Sequence, residues 1–220
     1  MSVQQKSISE NTLFLAQFSL LLAIEAIFCF TPLGSLPIGP IVATLAGIPV
    51  VVTAILLGTK AGALMGFITG LFSFLIWTFT PPQPPIAFLY TPFYSLGTIQ
   101  GNAWSLFISF VPRIMIGVLA GMSFNALDRL NSRRVKVLPF VVGGALGSLA
   151  NTFITLFTIY LVFAEDFVQA TGGDVSNAGT IVMGVITGLI VSNGIPEAII
   201  CALAAVFICQ PLRVILKKRK

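Results

Sequence analysis

The chain has 220 residues, of which 56% are hydrophobic and only 9% charged, with a mean hydropathy of +1.01; soluble domains carry about 25% charged residues. That balance leaves no room for a second, soluble domain and argues against a nucleic-acid binder despite the formal net charge of +5. The class expected is all-α: a polytopic membrane protein in which residues 1–220 form a single transmembrane domain.

The N-terminus lacks a basic n-region and an A-x-A cleavage site, so it reads as a tail entering a retained first span. Six apolar segments reach spanning length: 11–30, 40–57, 61–78, 103–124, 139–163 and 179–209. In the first, Ser19, Ala23 and Ala26 form a narrow stripe suited either to docking on a helix of another protein or to internal packing. Glu25 reads there as an ordinary polar helix end. The second and third segments meet at a tight turn beside Lys60, where Gly58, Gly62, Gly66 and Gly70 begin an unbroken i, i+4 ladder. Each of these glycines would cost a helix in water roughly 1 kcal/mol. In an apolar helix the same stripe lets a second backbone approach closely.

The connection after the third span carries five prolines (Pro81, Pro82, Pro84, Pro85 and Pro92), with Phe88, Tyr90, Phe93 and Tyr94 among them. Proline restricts the backbone and the aromatics offer wide apolar faces, which fits a semi-rigid lid bringing Tyr90, Phe93 and Tyr94 over a pocket. An aromatic belt at the interface fits equally. In the fourth span Arg113, in SFVPRIMIGVLAG, lies about ten residues inside the helix, roughly 15 Å by helical rise. Such an arginine costs several kcal/mol unless it faces the bundle interior with a partner. Asn151 and Thr155 are four apart in the fifth span, as are Asn193 and Glu197 in the sixth, so each pair shares a helix face. The economical arrangement is a polar pocket between spans four, five and six. In it Arg113 either pairs with Glu197 to fix helix register or presents its fork to the carboxylate or phosphate of a small ligand. The last segment is longer than a bilayer needs, so it must tilt, protrude or break, and Pro196 marks a possible kink.

Orientation follows from the basic residues. An even number of spans puts both termini on one side, and that side receives Lys6, Lys60, Arg129, Arg133, Arg134, Lys136, Arg213, Lys217, Lys218, Arg219 and Lys220, eleven of the twelve Lys and Arg. The opposite connections carry none, and include Glu165, Asp166 and Asp174. The positive-inside rule therefore predicts a protein of the cell membrane with both termini cytoplasmic.

The chain contains no histidine, which removes Ser-His triads and His-ligated zinc together. Cys29, Cys201 and Cys209 lie in apolar runs without C-x-x-C spacing, so no metal site, disulfide or cofactor is expected. Walker A, G-x-S-x-G and H-E-x-x-H motifs are all missing. The expectation is a protein that is not an enzyme and cannot hydrolyse ATP through a phosphate loop.

The run TPLGSLPIGPIVATLAGIPVVVTAILLGTKAGALMGFITGL, followed by FVPRIMIGVLAG and NGIPEAII, resembles the substrate-binding S components of energy-coupling factor (ECF) vitamin transporters, over essentially the whole chain. The resemblance implies a receptor that captures a vitamin from outside and delivers it with a transmembrane coupling protein and two ATPases. The stripe at Ser19, Ala23 and Ala26 would then be the docking surface. The order TPLG, TPFYSLG, GNAWSLFISFVPR looks most like pantothenate-type members, with folate, riboflavin, pyridoxine or thiamine-precursor members sharing the scaffold. Arg113 would suit a pantothenate carboxylate. The alternative from another class is a self-sufficient secondary transporter of a small organic anion, against which the halves 1–110 and 111–220 show no convincing repeat.

Overall fold

A computed structural model describes residues 10–32, 35–38, 41–130 and 136–218. The basic residues Lys6, Arg133, Arg134, Arg219 and Lys220 lie outside that set. The chain opens with α1 (Glu10–Phe30), a two-stranded antiparallel hairpin of β1 (Ser35–Ile38) and β2 (Ile41–Thr44), and the short α2 (Gly47–Leu56). After α3 (Thr59–Phe79) come a 3-10 turn over Pro84–Leu89 and a second small hairpin, β3 (Ser95–Leu96) with β4 (Ile99–Gln100). Then follow α4 (Ala103–Leu130), α5 (Leu138–Val162), the short α6 (Ala164–Ala170) and the final helical segment. That segment comprises α7 (Ala178–Leu189), α8 (Ile195–Ala204) and α9 (Gln210–Lys218), joined by π turns at Ile190–Gly194 and Ala205–Cys209. The class is all-α.

Five helical segments are long and apolar enough to cross a membrane: Glu10–Phe30, Thr59–Phe79, Ala103–Leu130, Leu138–Val162 and Val175–Ile215. The expected second span, 40–57, is a correction. Its first part is β2, and α2 has only 10 residues, about 15 Å against a hydrocarbon core of about 30 Å. The sequence gives the reason. Pro32, Pro37 and Pro40, with Gly34 and Gly39 between them, remove helical N–H donors from a stretch whose hydropathy alone would suit a span. What remains helical is buried on nearly every side. Val50, Val51, Val52, Ala54 and Ile55 of α2 centre the main core, packed against Met65, Ile116, Ala120, Phe124, Phe140 and Cys209.

The ladder on α3 meets α4. A methyl group added at Gly66 would collide with the Arg113 carbonyl, and one at Gly70 would lie 2.8 Å from the Ser109 carbonyl oxygen. From the other side, a methyl at Gly117 would run into the backbone of Gly62, so two helices touch main chain to main chain. Gly58 does not take part: nothing lies within 4 Å of its missing side chain. Its φ of +103°, which glycine adopts without strain, turns the chain from α2 into α3.

The long final segment does not break at Pro196. The missing N–H of this proline is absorbed by the wide turn at Ile190–Gly194 immediately before it. Past the second π turn, Arg213 grips Asp128 at the end of α4 with two hydrogen bonds of 2.7 Å, its guanidinium 4.9 Å from the Phe124 ring. That bidentate pair fixes α9 to α4. Before the segment begins, Asp174 accepts hydrogen bonds from the Ser176 hydroxyl and N–H, which hold its carboxyl below the usual carboxylate range.

Candidate functional site

A cavity of about 630 Å³ lies inside the bundle, within the size range of small-molecule sites. Its walls come from separate parts of the chain. Thr69, Ser73 and Trp77 of α3 form one side; Arg113 and Ile116 of α4, Asn151 of α5, and Leu189, Asn193 and Glu197 of the last segment form the other. Gly47 at the start of α2 adds to the lining, as do Pro82, Gln83, Ile86 and Tyr90 from the loop after α3.

Arg113 owes its position to the residue before it. Proline at 112 has no N–H, so the carbonyl of Ile108, four residues back, loses its helical partner. The Arg113 Nη1 donates to that carbonyl instead. One arm of the fork is thereby pinned along α4 toward the loop, where the guanidinium lies 5.5 Å from the centre of the Tyr90 ring. Tyr90 in turn stacks on Trp77, with ring centroids 4.4 Å apart and planes 20° from parallel. The cation is thus held against an aromatic face, and Glu197 is close enough to act on it electrostatically.

The last segment supplies its polar pair through its irregularity. In a regular α-helix residues four apart drift by about 40° around the axis. Leu189, Asn193 and Glu197 flank and include a π turn, whose wider winding keeps all three on the cavity wall.

Of the residues expected to bind substrate, Arg113, Asn151, Asn193, Glu197 and Tyr90 come together around this cavity. Thr155 is buried on α5 but does not reach the lining. Phe93 and Tyr94 do not reach it either. Phe93 is 77% exposed and meets Phe74 edge-on, and Tyr94 sits before the β3–β4 hairpin, its carbonyl accepting from the N–H of Gly101. In the loop, Phe88 and Leu89 bury themselves against Ile108, Ile159 and Phe163, Ala87 is buried as well, and Pro84 and Pro85 open that 3-10 turn.

Glu25 is the larger correction. It is fully buried, and it is the one buried residue of α1. Thr69 Oγ1 donates to its Oε1 at 2.7 Å and Cys29 Sγ lies at 3.3 Å, both partners belonging to residues that line the cavity. Phe18, Leu21 and Leu22 of α1 pack against the main core, whereas Ser19 and Ala23 are exposed and Ala26 is half-buried. Thr69, Ser73 and Trp77, spaced by four along α3, were also not singled out from sequence. Their i, i+4, i+8 spacing, which puts all three on one face of α3, was the signal available. Among the described residues no group of His, Cys, Asp and Glu stands together as a metal site.

The ECF transporter substrate-specific component family matches residues 13–209. The chain belongs to this family. It is therefore a membrane transport protein, an S component and not an enzyme. It is 32% identical over 163 residues, 73% of this chain and 78% of the relative, to the pantothenic acid transporter PanT of Lactococcus lactis subsp. cremoris. Over 196 residues, 87% of each chain, it is 27% identical to the pantothenate transporter PanT of Leuconostoc mesenteroides subsp. mesenteroides.

Proposed function

We propose that this S component captures pantothenate and passes it to a transmembrane coupling protein and two ATPases for ATP-driven import. The observation that carries the reading is Arg113, an arginine in the lining of a cavity within the bundle, one arm of its fork held by the Ile108 carbonyl. Pantothenate is a small carboxylate, and a planar bidentate donor suits that group better than a point charge does. The two relatives named as pantothenate transporters support the same substrate. The chain carries no phosphate-loop motif, which fits ATP hydrolysis by partner subunits, and the exposed Ser19 and Ala23 on α1 would offer a narrow face for one of them.

In the membrane β2 followed by α2, about 13 Å of strand and about 15 Å of helix, would make the traverse that α2 alone is too short to make. Irregular backbone is tolerated at depth where it is buried in protein or lines a cavity, and Ala46 and Gly47 line this one. Six traverses then return both termini to the cytoplasmic side. Single cysteines at Gln83 and Gly172 should react with an impermeant thiol reagent from outside, and those at Asn131 and Lys218 should not. Labelling of Asn131 from outside would overturn the topology.

The substrate is tested by titrating the purified chain, alone in nanodiscs, with pantothenate in a calorimeter. Saturable binding of one molecule without partner or nucleotide is expected. Failure to bind pantothenate, with another vitamin co-purifying by mass spectrometry, would overturn the assignment.

A further inference from the structure

Two parts of the chain that border the cavity, the loop after α3 and the helix α7, are held in opposite ways. The loop is pinned. Ser105 and Ser109, one turn apart on α4 and both fully buried, donate to the carbonyls of Phe88 and Tyr90 at 2.6 and 2.5 Å. The hydroxyls of Thr78 on α3 and of Thr91 lie 2.8 Å apart, and a methyl at Gly101 would collide with the Thr91 carbonyl. Lifting this loop would strand several buried polar groups at once, each at a full desolvation cost.

α7 lacks such ties. Below it α8 is locked to α5: a methyl at Gly144 would lie 2.6 Å from the Cys201 carbonyl oxygen, and one at Gly194 would lie 2.9 Å from Thr152 Cγ2. On α7 itself nothing stands within 4 Å of the missing side chains of Gly179, Gly184 and Gly188 among the described residues. Its seam with α6 is a small apolar cluster in which Ala178 and Val182 lie with Val168, short side chains that can slide past one another. The helix is jointed at both ends. Gly172, with φ +77°, stands between α6 and α7, and the π turn at Ile190–Gly194 separates α7 from α8. Beside α5 there is room to move, in an open groove of about 500 Å³ lined by Tyr160 on one side and by Thr180, Gly184 and Thr187 on the other. Leu189, which lines the cavity, comes five residues after Gly184 and so points about 140° away round the helix. A swing of α7 into the groove therefore draws Leu189 out of the cavity wall.

We infer that α7 is the moving wall of the cavity: pivoting on the π turn, it swings into the groove beside α5 to let substrate in and out, while the proline-rich loop stays fixed. This rests on the reading of the cavity as the substrate site.

The test measures association and release rates of radiolabelled pantothenate, with Kd, on the full chain in nanodiscs. Gly184→Leu fills the groove from a position in open space, so the protein should fold and α7 should be held against the cavity. Both rates should fall about tenfold or more with Kd near that of wild type, because the free and occupied forms rest closed and share the opened state between them. Gly188→Leu stiffens the same helix and also meets open space, but lies outside the groove lining, and should exchange ligand at wild-type rates. Thr180→Leu fills the groove independently and should slow exchange even if Gly184→Leu fails to fold. Wild-type rates in both groove-filling variants, or equal slowing by Gly188→Leu, would overturn the moving wall. A wild type that binds no pantothenate would instead overturn the functional reading, and the same rates measured on the vitamin that co-purifies would then decide this inference separately.

Discussion

Gly66→Leu is expected to destroy the α3–α4 contact, with a loss of about 3 kcal/mol or more, the upper end of overpacking costs. A single methyl at this position already meets the Arg113 carbonyl, and backbone cannot rotate away as a side chain can. The helices must separate, which opens the contact along Gly62, Gly70 and Gly117 and moves Arg113 with them. Gly66→Ala should lie between leucine and wild type. Gly184→Leu is the control, because nothing stands within 4 Å of its missing side chain. Thermal unfolding and the monodisperse fraction in detergent check all three. A Gly66→Leu protein that melts like wild type and still binds ligand would contradict the ladder's role.

Arg113→Lys is expected to weaken pantothenate binding by roughly 1.5–3 kcal/mol, about ten- to 150-fold, while the protein stays folded. Lysine keeps the charge and a donor for the Ile108 carbonyl, and loses the planar fork. Arg113→Met removes both, so the Ile108 carbonyl is left without its donor and the fold should lose about 1–3 kcal/mol as well. Pro112→Ala separates the two effects. An alanine N–H at 112 gives Ile108 its helical partner back, so Arg113→Met with Pro112→Ala should recover stability and still not bind. If instead Arg113 served only to pair with Glu197, each single removal would cost about 3–5 kcal/mol, and Arg113→Met with Glu197→Leu would be stable and bind with full affinity.

Much of this site was legible because its chemistry conflicts with its surroundings. An arginine deep in an apolar segment, and Asn193 with Glu197 one turn apart, are conspicuous in sequence, and both line the cavity. The Pro112–Arg113 order contains the reason for the arginine's direction, once the orphaned carbonyl at Ile108 is counted. Hydropathy misled at 40–57, where apolar residues interrupted by proline fold as strand and short helix. It misled again at Glu25, since position along a helix does not reveal which face meets a neighbour; only the partner Thr69, 44 residues away, explains the burial. Phe93 and Tyr94 differ from Tyr90 by a turn direction that proline spacing does not specify.

The central claim is a receptor that binds pantothenate by itself and moves it only with ATP-hydrolysing partners. Uptake of radiolabelled pantothenate into proteoliposomes tests it most directly, comparing the chain alone, under an imposed proton or sodium gradient, with the chain reconstituted beside its coupling protein and ATPases. The expected result is no accumulation by the chain alone and ATP-dependent accumulation by the complex. Gradient-driven accumulation by the chain alone would contradict the account and identify a secondary transporter.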